Sequence, residues 1–147
     1  MTETQILVQV VVDVPARALF AVLSDPDRHA EIDGSGTVRA AVNPQLLTDA
    51  GQIFTMEMRN AVRGDYRTDN HVLIFDQDHL LTWASGDHGE SPTGVRWSWQ
   101  LEPAAGGRTT VVHTYDWSQV EDQAGYPRVP ADALRRTISR LVAAATG

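Results

Sequence analysis

Hydrophobic and polar positions alternate with a period of two in QILVQVVV, over Gln5 to Val12, and the alternation predicts a β-strand. The period then changes. Pro15 fits the first turn of a helix with Asp13 upstream as its cap, and Leu19, Phe20 and Leu23 recur at helical spacing through Ala16 to Leu23. Ser24-Asp25-Pro26-Asp27 stops that helix and opens a second, short one through His29 to Ile32. Asp33, Gly34 and Gly36 read as turn chemistry leading to a short strand over Thr37 to Val42 and a polar loop to Gly51. From Gln52 the pattern is an antiparallel meander: Gln52 to Asn60, Tyr66 to Phe75, His79 to Ser85, Gly94 to Glu102 and Thr109 to Trp117.

Beyond Pro130 the spacing becomes helical again. Leu134, Ile138, Leu141, Val142 and Ala145 share one face, while Arg135, Arg136 and Arg140 fall elsewhere. Such a face packs on something apolar, and the inner side of the meander is the large partner available. The expected class is therefore α+β: a curved antiparallel sheet wrapped around a long C-terminal helix, with two short helices after the first strand. That shape leaves room between sheet and helix for a small molecule.

Composition narrows the chemistry. The 147 residues suit one domain over 1–147, large enough to bury roughly 68–70% of the unfolded chain's surface. A net charge of −7 disfavours nucleic acid and anionic membrane surfaces. No apolar run approaches the ~20 residues of a bilayer span, so no integral membrane association is expected, and without a basic leader the default location is the cytoplasm. The chain has no cysteine, which excludes disulfides and thiolate chemistry. Its 12 basic residues are all arginine, which excludes Schiff-base catalysis.

The order of elements, with PARALFAVLSDPDRHAEIDGSG, TWAS, WSWQLEP and HTYDWS at their places, resembles the START-like (SRPBCC) superfamily, in particular its polyketide cyclase/dehydrase and lipid-transport branch. The resemblance spans nearly the whole chain and implies a helix-grip fold. Its members include cyclases, hydrolase-like enzymes, lipid carriers and hormone receptors, so the fold alone does not choose a chemistry.

Strand alternation assigns the inner face. Phe54, Met56 and Met58 point inward against Thr55, Glu57 and Arg59; Tyr66, Thr68, Asn70, Val72 and Ile74 point inward against Arg67, Asp69, His71 and Leu73. Trp83, Trp97, Trp99, His113, Tyr115 and Trp117 continue the wall, and Leu134, Ile138 and Val142 face it from the helix. Met and aromatic rings interrupted by a few polar groups suit a pocket of roughly 300–1,000 Å³ for an apolar ligand. The same residues would also make a plain core.

His113 and Tyr115, two apart on one strand, share a face and could exchange protons with a bound carbonyl compound, assisted by Tyr66. A cofactor-independent cyclase/dehydrase is thus one alternative to simple binding of a lipid or polyketide-like molecule. A partner-binding protein with a filled core is another. His29, Glu31 and Asp33 alternate on a short helix, so no metal site is expected, and no cofactor. Residues 118–130 are long for a connection and could cover one end of the cavity. Either a monomer or a homodimer is compatible with the exposed edges of such a meander.

Overall fold

Alternating side chains commit seven segments of the chain to one antiparallel sheet, described in a computed structural model over residues 3–147. In chain order the elements are β1 (Gln5–Val12), α1 (Ala16–Leu23), α2 (His29–Ile32), β2 (Val38–Val42), β3 (Ile53–Asn60), β4 (Gly64–Asp76), β5 (Leu80–Asp87), β6 (Val95–Pro103), β7 (Thr109–Asp116) and α3 (Ala131–Thr146). The strand order is β1-β7-β6-β5-β4-β3-β2. The meander β2 to β7 needs only local connections, while β1 pairs with the last strand, from Gln5 opposite Asp116 to Val12 opposite Thr109. This is the helix-grip fold: α3 lies across the concave side of the sheet.

The helix is held there by its apolar stripe. Ala133, Leu134, Ile138, Leu141 and Ala144 are buried, against Leu19, Phe20 and Leu23 of α1 and the inner residues Leu101 and Val111 in one continuous core. Each fully buried leucine contributes roughly 1.5–3 kcal/mol relative to exposure. A second contact fixes the α2–β2 turn to α3. A Cβ on Gly34 would lie 2.5 Å from the Ala133 carbonyl oxygen and 2.7 Å from Arg136 Cβ, so only glycine permits this approach. The Gly34 N–H donates to Thr137 Oγ1 at 2.9 Å.

Two local expectations are corrected. Asp13 does not cap α1: Pro15 occupies the N-cap in extended conformation, with no side-chain cap, and its carbonyl receives the first N–H groups. Ile74 does not point inward. A bulge between Val72 and Ile74 shifts the register, so Ile74 is 45% exposed and Phe75 turns in to meet Phe20 edge-on at 5.3 Å. An extra residue in one strand reverses the alternation beyond it.

Candidate functional site

Strands β3 to β7, the first turns of α3 and the short α2 with its following turn border a common space. A cavity of about 150 Å³ remains between them. Its size follows from the packing of its own wall: Trp97 stacks on Tyr115 at 4.3 Å and Trp99 on His113 at 3.6 Å, so rings occupy space that smaller side chains would leave open. The volume is accordingly below the range the wall composition suggested.

Ten of the fourteen residues expected at the ligand line this cavity. Phe54, Met56 and Met58 come from β3; Thr68 and Asn70 from β4; Trp83 from β5; Trp97 and Trp99 from β6; His113 from β7; Leu134 from α3. Tyr66, Tyr115, Ile138 and Val142 do not. The Tyr66 ring sits under the Arg63 guanidinium, 4.2 Å away, at the start of β4. Tyr115 is buried behind Trp97, and its hydroxyl accepts the Arg128 N–H at 3.2 Å. Ile138 lies in the core one turn beyond Leu134. Val142 lies a further turn along α3 and is only partly buried against that core. His113, Tyr115 and Tyr66 therefore do not meet around a common space; alternation gives the face of a strand but not how far along it the cavity extends.

The polar groups of the cavity are mostly engaged. Ser85 Oγ donates to Asn70 Oδ1 at 2.7 Å, and Asn70 Nδ2 donates to the Phe54 carbonyl at 3.3 Å. His113 Nδ1 lies 3.0 Å from the Ser98 carbonyl oxygen. Burial depresses the His113 imidazole to about 4, against the smaller upward pull of that bond. Thr137 Oγ1 donates to Ala133 and so is occupied on both sides.

Sequence reasoning missed His29, Asp33, Ser35, Thr37, Ser85 and Thr137, all of which line the cavity. The signal for His29 and Asp33 was their four-residue spacing, which places both on one side of the α2 turn. His29 is buried between Trp83, stacked at 5.6 Å, and the edge of Phe54 at 5.3 Å. Its Nε2 lies 2.7 Å from the Leu23 carbonyl oxygen. Burial lowers its pKa, while that bond and the charges of Asp25 and Asp33 pull the other way. Asp33 acts mainly on the backbone: its carboxylate accepts N–H groups from Ser35, Gly36, Thr37 and Val38.

Residues 118–130 contribute Val129 to the cavity, and Tyr126 stacks at 6.5 Å on Trp117. On the opposite face of the sheet, Asp69 is buried beneath the β5–β6 loop. It accepts from Thr55 Oγ1 at 2.7 Å and from the Gly89 N–H at 2.9 Å, with His88 Nδ1 at 2.8 Å. Among the described residues, no group of three or more acidic or histidine side chains is arranged to hold a metal ion, and no helix is long and apolar enough to cross a membrane.

No protein-family model matches the chain. The uncharacterized protein Rv0088 of Mycobacterium tuberculosis H37Rv is 29% identical over 139 residues, covering 88% of this chain and 59% of its own length. The uncharacterized protein MT0096 of M. tuberculosis CDC 1551 is 28% identical over the same span. The chain thus matches about three-fifths of the length of these relatives. Among solved structures, protein CV1439 from Chromobacterium violaceum superposes with a TM-score of 0.70 at 13% identity, covering 98% of both chains. An AHSA1-like protein from Aeromonas hydrophila gives 0.67 at 15% identity, covering 97% of this chain and 92% of that one. A protein from Arthrobacter aurescens gives 0.71 at 16% identity, covering 97% and 86%. At these identities the likeness is one of fold, the helix grip described above.

Proposed function

We propose that this domain binds a hydrophobic or amphipathic small molecule, of the lipid or polyketide-like class, in the cavity between the sheet and α3. The observation that carries the proposal is the cavity itself: about 150 Å³ walled by Phe54, Met56, Met58, Trp83, Trp97 and Trp99. An apolar wall left without packed neighbours forfeits the contacts that a filled core would make. A binding role accounts for keeping it. The volume accepts one ring or a short chain, and a longer ligand would extend past the half-exposed Ser35, Thr37 and Val129.

Catalysis of the cyclase/dehydrase type is the weaker reading. It needs converging acid and base groups, whereas Tyr115 and Tyr66 lie outside the cavity lining and His113, held near 4, is a poor base at neutral pH. A filled core acting only on a partner protein is opposed by the void.

The test is native mass spectrometry of the purified protein with extraction of any small molecule it carries, followed by titration of apolar probes into the wild type and Met58→Trp. Binding in the wild type and its loss in a folded Met58→Trp protein is the expected result. An empty protein that ignores every probe would overturn the proposal.

A further inference from the structure

The two imidazoles in the cavity wall are locked in opposite tautomers, and this has a consequence for the ligand. A carbonyl oxygen can only accept, so the ring nitrogen facing it carries the proton. His113 Nδ1 faces the Ser98 carbonyl and His29 Nε2 faces the Leu23 carbonyl. The remaining nitrogens, His113 Nε2 and His29 Nδ1, are bare lone pairs. Neither has a partner among the described residues, and neither is sealed from solvent; the one sealed, unpartnered side-chain nitrogen is His71 Nε2, on the outer face. Both rings line the cavity from different sides, His29 beside Trp83 and Phe54, His113 beside Trp97 and Trp99.

Ser85 and the charges of the lining reinforce the same sign. The Ser85 hydroxyl spends its proton on Asn70 and offers only lone pairs. No arginine lines the cavity, and Asp33 at its edge is acidic. A carboxylate or phosphate placed here would meet no counter-charge, whereas a neutral O–H or N–H would satisfy a lone pair that has no partner in the protein.

Building on the proposed ligand-binding role, we propose that the cavity selects an uncharged single-ring aromatic molecule bearing a hydrogen-bond donor, a phenol or aryl amine, which donates to His113 Nε2 or His29 Nδ1. The volume matches one ring: an apolar cavity of about 150 Å³ in an unrelated protein accepts benzene. The aromatic wall supplies stacking surfaces, and the two fixed lone pairs supply direction.

The test is isothermal titration calorimetry with phenol, toluene and benzoate against wild type, His113→Leu and His29→Leu. Phenol is expected to bind the wild type, benzoate not to bind, and phenol to weaken about tenfold in at least one variant while toluene is unchanged or tighter. Benzoate binding as tightly as phenol, or phenol and toluene shifting in parallel, overturns the donor selectivity while leaving a ligand cavity in place. If none of the three probes binds, the cavity reading fails and the selectivity with it. Should the variants not fold, long-range ¹⁵N–¹H NMR of wild type decides. His113 Nε2 and His29 Nδ1 must give unprotonated-type nitrogen shifts, at least one of which moves on adding phenol; the opposite tautomers, or no movement, overturn the proposal.

Discussion

Two histidines on opposite faces of one sheet aim the same nitrogen at an oxygen at nearly the same distance, and they serve different ends. On the inner face His113 Nδ1 meets the Ser98 carbonyl at 3.0 Å, among stacked tryptophans. On the outer face His88 Nδ1 meets the Asp69 carboxylate at 2.8 Å, with its own side chain 56% exposed. The inner oxygen is neutral and the surroundings are apolar, so desolvation dominates and the imidazole stays uncharged. The outer oxygen is a carboxylate: burial pushes its pKa up, but bonds from His88, the Gly89 N–H and Thr55 together outweigh this and hold it down to about 2. Charge is thus kept where a loop covers it from water's edge, and excluded where a ligand would sit.

The largest effect that would break this contrast lies in the inner packing. Trp99 is buried and stacks on His113, so Trp99→Ala removes both the ring and the surface that keeps the imidazole dry. A loss of about 3–5 kcal/mol in urea unfolding is expected. A loss under 1 kcal/mol would mean that the stack is not a packed core.

The pH dependence of stability sharpens the comparison, because the two faces titrate in separate windows. For His113 the folded pKa, about 4, lies below the unfolded value of 6.5, so below pH 6.5 the unfolded chain binds more protons. Stability is full above 6.5 and falls by about 3 kcal/mol as pH drops towards 4. His29, shifted in the same direction, adds to the loss. His113→Gln should flatten this window, and an unaltered slope would show that His113 is not held neutral.

Asp69 acts lower. Its folded pKa of about 2 lies below the unfolded value of 3.8, so its contribution is present above about 4 and disappears as pH falls through 2. Asp69→Asn should cost about 2 kcal/mol at pH 7 and nothing below pH 2. A pH-independent difference would mean that the carboxylate's charge is not what the loop bonds to.

Much of the fold was legible because period-two and helical spacings report burial directly. Gln5–Val12, the meander and the α3 stripe were readable in this way. Most of the failures share one cause: sequence spacing fixes a side chain's face, not its depth or surroundings. The bulge after Val72 reversed Ile74 without any local signal, since neither glycine nor proline marks it. Asp69 pointed outward as its polarity required, yet it is buried because a loop some twenty residues later folds over it. His29 belonged to the cavity through stacking on Trp83, a contact between residues far apart in sequence. Tyr115 had the right face and the wrong neighbour, Trp97 standing between it and the cavity.

That last residue yields the smallest expected effect. Tyr115→Phe removes only the oxygen that accepts the Arg128 N–H, a loss of about 1 kcal/mol, and Tyr66→Phe, whose ring keeps its contact with Arg63, should change stability by less than about 0.5 kcal/mol. Neither hydroxyl reaches the cavity, so the affinity for any bound probe should stay within about twofold in both variants. Calorimetry on the same preparations reads both quantities. A tenfold fall in affinity for Tyr66→Phe would extend the ligand to the start of β4 and would restore a tyrosine to the binding site; the same fall for Tyr115→Phe would require Trp97 to move aside when ligand binds, making the stacked wall a gate.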